Sequence, residues 1–176
     1  MVPGLLKTLQ EHRSEQTANG LKLFEISDVV LLDPTKDTGA KNVRRLAALY
    51  VGNTAGFEII HGLLDRVMQL LNVIPSETYS KDGHQMAKLH RGKNATEAGE
   101  YSIAEFKKHY SDGSGAGETT YFPGRGAEII WHPPNGGQPI EIGTMGIVNP
   151  AVLDALKLKN PVSILEITLD HFVDFA

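Results

Sequence analysis

The chain of 176 residues contains no cysteine, which excludes a disulfide framework and any thiolate metal site. That absence fits a reducing compartment. Long apolar runs are missing too: Val29-Val30-Leu31-Leu32 and Ile59-Ile60 fall far short of the roughly 20 residues a helix needs to span a bilayer. The first residues show no basic region leading into an apolar stretch, so no secretory signal is expected and the Asn94-Ala95-Thr96 acceptor triplet reads as chance. The expected localisation is cytoplasmic. Nor is positive charge in excess. Lys plus Arg number 17 against 21 Asp plus Glu, a net charge of -4, so nothing drives the chain as a whole toward nucleic acid. Any RNA contact must be local.

What is present is an ordinary globular composition, 41% hydrophobic and 22% charged, with length for one core and hence one domain or one lobe of a larger one. Pro3 suits a first helical turn, and Leu5, Leu6 and Leu9 give that helix an apolar side to about Arg13. Val2 is a poor cap with nothing before it, so the chain is expected to begin just inside a larger domain. Residues 21–32 and 42–51 alternate and are rich in branched side chains, predicting two antiparallel strands joined by a loop from Asp33-Pro34 to Gly39. Residues 56–73 form the strongest helix pattern: Phe57, Ile60, Leu64, Val67, Met68 and Leu71 recur at three- and four-residue spacing, and Ile59, Leu63 and Leu70 widen the stripe. Such a helix should be covered on two sides and stopped by Pro75.

Between residues 76 and 120 the composition turns to Lys, His, Gly, Ser and Glu, which reads as an insertion. Inside it, Ser102 and Glu105 have capping-box spacing and predict a short helix ahead of Phe106 and Tyr110. Strands at 121–131 and 139–148 flank the turn-rich Pro133-Pro134-Asn135-Gly136-Gly137 and should form a hairpin; a helix at about 150–157 and a strand at 162–169 follow. The expected fold class is α+β, a mainly antiparallel sheet flanked by helices.

Several constellations invite a chemical reading. The run from Gly113 to Thr120 has the glycines of a phosphate loop but neither its lysine nor a preceding strand, so it reads as a hinge. His84, His90 and His109 never come closer than six residues in sequence, too sparse for a structural zinc site and better read as solvated. Lys81, Lys88, Arg91 and Lys93 are opposed only by Asp82, a local positive excess able to hold RNA phosphates, and they are the candidate tRNA contact. Tyr101, Phe106 and Tyr110 offer rings for base stacking, but Phe106 and Tyr110 at helical spacing read as anchors of the insertion. His61 and Asp65, one helical turn apart, read as a pair on a polar edge. Arg125, set between Gly124 and Gly126, can present a guanidinium to an anion, but a structural pair with Glu128 or Glu141 is the preferred reading.

Five blocks in order carry a resemblance: Pro3-Gly4-Leu5-Leu6, then Leu23-Phe24-Glu25-Ile26-Ser27-Asp28-Val29-Val30, then Gly56-Phe57-Glu58-Ile59-Ile60-His61-Gly62-Leu63-Leu64. Tyr121-Phe122-Pro123-Gly124-Arg125-Gly126-Ala127-Glu128-Ile129 and Ile142-Gly143-Thr144-Met145-Gly146-Ile147-Val148-Asn149-Pro150 complete the set. Together they resemble the C-terminal catalytic-like module of the phenylalanyl-tRNA synthetase beta subunit, of the archaeal and eukaryotic cytosolic type. The resemblance implies a class II synthetase-like fold, and it implies loss of the chemistry. Catalytic subunits of this class hold ATP with one arginine on the first strand of the second class motif and another at the third motif. Aligned by eye, the catalytic subunit's Gly-Arg-Val-Tyr-Arg falls on Ser27-Asp28-Val29-Val30-Leu31, and its second arginine falls on the last residue of Glu166-Ile167-Thr168-Leu169-Asp170-His171. Leu31 and His171 then stand where the two cations would be. The implied module has no catalytic, cofactor-binding or metal residues of its own; ATP and magnesium belong to the whole enzyme. The implied partner is the alpha subunit, in an alpha2beta2 heterotetramer, with tRNA possible and no membrane. An RNA-binding module built on the basic insertion is the alternative.

Overall fold

Two strands, Ala40–Val51 and Val162–Thr168, carry largely apolar runs at residues 46–51 and 162–167, as a strand does where both of its faces are covered. The computed structural model describes residues 1–12, 20–76, 98–106 and 120–172 and places these two strands side by side. In chain order the elements are α1 (Val2–Glu11), β1 (Leu21–Leu32), β2 (Ala40–Val51), α2 (Phe57–Leu70), β3 (Ile74–Pro75) and β4 (Glu100–Glu105), then β5 (Tyr121–His132), β6 (Ile140–Val148), α3 (Pro150–Ala155) and β7 (Val162–Thr168). The strands form one sheet in the order β1-β2-β7-β6-β5-β4-β3. All neighbours are antiparallel except the short β3–β4 pair. The α+β class and the two hairpins follow the sequence expectation.

Strand alternation sorts the core into two layers. On one face Ile60, Leu64 and Met68 of α2 pack with Leu46, Ala48, Ile142, Leu165 and Ile167. On the other, Leu5, Leu6 and Leu9 of α1 and Leu153 of α3 pack with Ala47, Leu49, Val162 and Ile164. Burying one such side chain fully is worth about 1.5–3 kcal/mol, so the pairing of Leu46 with Ala47 on opposite faces ties both layers to β2. Close approach is built in at Gly143, where a Cβ would strike the backbone of Glu166 and Ile167 on the neighbouring strand. Gly56 caps α2 with φ 60°, and the Tyr50 ring occupies the space a side chain would need.

Three expectations need correction. Residues 102–105 are not helical: they belong to β4, because Tyr101 pairs opposite Trp131 of β5 and buries its ring among the α2-side residues. Sheet pairing outweighs the capping-box spacing, and the expected insertion at 76–120 therefore contains a strand of the body. Ser76 is buried and its N–H donates to the Tyr101 carbonyl at 2.8 Å. Pro75 does not end α2. The helix stops at Leu70, and Asn72, left-handed at φ 58°, turns the chain so that the Val73 N–H reaches the Met68 carbonyl. Nor is α2 covered on two sides, since Leu70 is 66% exposed and only the Ile60, Leu64, Met68 stripe is fully buried.

Candidate functional site

Charged residues are scarce in the central strands, and the register brings most of them together. Glu128 of β5, Thr144 of β6 and Glu166 of β7 lie directly across from one another, and Arg45 of β2 lies opposite Thr168. Arg45, Glu141, Thr144 and Glu166 line a polar cleft of about 170 Å³ on the face opposite α2. Arg45 Nη1 donates to Glu166 Oε1 at 2.7 Å, and the Val2 N–H donates to Glu166 Oε2 at 3.0 Å, so β7 is tied to both β2 and α1. Tyr121 Oη and Thr144 Oγ1 lie 2.8 Å apart and share a hydrogen bond.

The electrostatics follow from burial. Burial is the largest influence on Glu166 and opposes its charge, but the Arg45 bond, the Val2 N–H and the amino terminus 3.1 Å away outweigh it and hold the carboxyl below its ordinary value. Tyr121 is pushed up to about 12, first by burial and also by the Glu166 charge, against the lowering effect of its bond with Thr144. It is therefore a neutral hydroxyl at any physiological pH. Arg45 and the amino terminus both bring positive charge to Glu166, and Glu141 adds a further carboxylate to the cleft.

The structure keeps the positions singled out in the sequence apart from this cleft. Leu31 is 37% exposed near the far end of β1, and His171, beyond the end of β7, is exposed and stacks on Trp131 at 5.5 Å between ring centres. Arg125 does not pair with Glu128 or Glu141: it stands exposed in the part of β5 where the register with β6 is irregular, between Tyr121 and Gly126, and makes no ion pair among the described residues. His61 Nε2 lies 3.9 Å from Asp65 Oδ1, which also accepts from the buried Tyr101 hydroxyl at 2.7 Å. That hydroxyl link makes Asp65 a bridge between α2 and β4. Phe106 packs on Tyr121 at 5.3 Å and does anchor the segment. Lys81, Lys88, Arg91, Lys93, His84, His90, His109, Tyr110 and most of the glycine run lie outside the described residues. The Arg45–Glu166 pair was not singled out, although part of its signal is visible: Glu166 is a lone charge in an apolar strand, and Arg45 directly precedes the apolar run of residues 46–51.

The family model described as the phenylalanyl tRNA synthetase beta chain CLM domain matches residues 1–169. The chain belongs to that family. Among curated relatives, the phenylalanine–tRNA ligase beta subunit of Mus musculus is 44% identical over 173 residues, 98% of this chain and 23% of that protein. The Homo sapiens beta subunit is 40% identical over the same share. The relative from Arabidopsis thaliana, named as the cytoplasmic beta subunit, is 38% identical over 97% of this chain and 24% of its own length. The CLM-family chain thus spans about a quarter of the length of the relatives it matches.

Proposed function

We propose that this CLM-family chain is a non-catalytic structural module of a phenylalanine–tRNA ligase beta subunit, with a class II aminoacyl-tRNA synthetase-like fold. Its role is to pack against the alpha subunit in an alpha2beta2 assembly and hold the geometry in which tRNA is charged with phenylalanine at the expense of ATP, with magnesium as the whole enzyme's cofactor. The observation that carries this reading is the polar cleft: its arginine, Arg45, is held by Glu166, while Leu31 and His171 occupy the positions that the resemblance aligns with the two ATP-binding arginines. Adenylate formation develops negative charge on phosphate oxygens, and losing one preorganised donor from such a site commonly costs on the order of a hundredfold in rate. Two are absent here.

A cytoplasmic location belongs to the same reading, supported by the name of the Arabidopsis relative. In addition, no helix among the described residues is long and apolar enough to cross a membrane. Contact with tRNA, if this module makes one, falls to Lys81, Lys88, Arg91 and Lys93. The test is phenylalanine-dependent exchange between ATP and pyrophosphate. The chain alone is expected to be silent and the complete alpha–beta enzyme active. Exchange by the chain that disappears on mutating one of its own residues would overturn the proposal.

A further inference from the structure

We propose that two copies of this chain pair through β1, antiparallel about a two-fold axis at Ser27, so that one sheet runs through both. Strand β1 is the sheet edge, bonded to β2 along all 12 of its residues from Leu21 to Leu32. Its outer row of backbone groups faces no strand among the described residues. Edges of this length are ordinarily blunted by a bulge, a proline or charge. Here the register with β2 has no bulge and the strand has no proline. One face carries Phe24, Ile26, Val30 and Leu32 at alternate positions, exposed by 74%, 52%, 69% and 92%. The charge that interrupts them, Asp28, is neutralised by Arg44 on β2. At its Phe24 end the stripe opens into an apolar groove of about 330 Å³ between the β1–β2 hairpin and α2, walled by Leu46, Ala48, Tyr50, Ile59 and Leu63, with Lys22 at its edge.

The strand is complementary to itself. A two-fold axis perpendicular to the sheet keeps both apolar stripes on the same face, and centring it on Ser27 sets Phe24 opposite Val30, Ile26 opposite Asp28 and Lys22 opposite Leu32. An aromatic ring across from a β-branched side chain is a favourable cross-strand pair, and no like charges meet. Two neighbouring registers are worse: an axis at Asp28 opposes two aspartates, and one at Glu25 opposes two glutamates. The favoured register also brings the second copy's Leu32 to Lys22 and Phe24, at the mouth of the groove. The four stripe residues present on the order of 500 Å² per copy, near the largest apolar patch an ordinary monomer shows.

Because the chain has no cysteine, Ser27→Cys places a single thiol on the axis, where directly opposed residues of an antiparallel pair have a Cα separation suited to a disulfide. Mild oxidation is expected to cross-link Ser27→Cys into a dimer and to leave Lys7→Cys, on the exposed side of α1, monomeric. Sedimentation equilibrium of the unmodified chain should show the mass rising with concentration from 19.2 kDa toward twice that value. Val30→Lys and Ile26→Lys should each weaken the association at least about tenfold while leaving circular dichroism and the thermal midpoint in place, since both side chains are already in solvent. A chain that stays monomeric up to about 100 μM, or equal cross-linking of the Lys7→Cys control, overturns self-pairing. A monomeric chain whose capture by an alpha subunit is lost in Val30→Lys overturns it as well, and assigns the face to that partner instead.

Discussion

Arg45 and Glu166 illustrate what a single charge does inside an apolar strand. Each is tolerable only because the other is 2.7 Å away, and the Arg45 Nε is buried with no partner among the described residues. Glu166→Gln is therefore expected to destabilise the fold by about 1–3 kcal/mol, because it leaves a half-buried guanidinium without its counter-charge. Asp28→Asn, at the exposed pair with Arg44, should change stability far less, since solvent screens that pair. The pH dependence has a definite sign. The folded carboxyl of Glu166 titrates below the ordinary value of 4.5, so as pH falls the unfolded chain takes up the proton first. Its contribution is complete above 4.5 and is lost as pH drops through the folded value. Urea unfolding from about pH 6 to pH 3 should show a fall in stability that is shallower in Glu166→Gln. An identical slope in both proteins would exclude the pair as its source.

Among the elements, α2 and β4 carry the clearest expectations. Leu64 has no exposed surface, and Leu64→Ala should cost about 2–5 kcal/mol in chemical denaturation; a loss below about 1 kcal/mol would make the helix peripheral. Strand β4 lies inside the compositionally polar stretch, yet it pairs with β5 along its length and buries Tyr101. Replacing residues 77–118 with a short Gly/Ser linker therefore removes a strand of the sheet, and the thermal midpoint should fall by roughly 10 °C or more. Tyr101→Phe isolates one part of that cost. It keeps the ring and leaves the Asp65 carboxylate without its 2.7 Å donor, with an expected loss of about 1 kcal/mol. A linker variant that melts with the parent chain would show that β4 adds nothing to the body.

For the molecule as a whole, the expectations concern partners. If Lys88 and Arg91 hold tRNA phosphates, reversing both charges should weaken tRNA binding by the assembled ligase and reduce its salt dependence, each lost phosphate contact lowering the slope by about one. Unchanged affinity at low salt would remove tRNA from the proposed contacts. The net charge of -4 requires that such a contact be local, because the remainder of the surface repels nucleic acid.

Local periodicity was enough to read β1, β2, α2, β5, β6 and β7 from the residues, since each carries its own alternation or helical stripe and each turn between them has its own Gly, Pro or Asn. The order of five short blocks was enough to read the family. Strand β4 was not legible, because Glu100–Glu105 is too short and too mixed to declare a period; what makes it a strand is the edge of β5 waiting beside it. The same holds for the end of α2, set by a left-handed Asn72 rather than by Pro75. Arg45 and Glu166, 121 residues apart, become one unit only when β2 and β7 lie side by side, and Arg125 stands exposed, without its expected partners, where the register of β5 is irregular. Sequence alone determined most of the elements, through their own periodicity, and the family, through the order of its blocks. Tertiary pairing decided which charges meet, because register and burial depend on neighbours that the local chain does not contain.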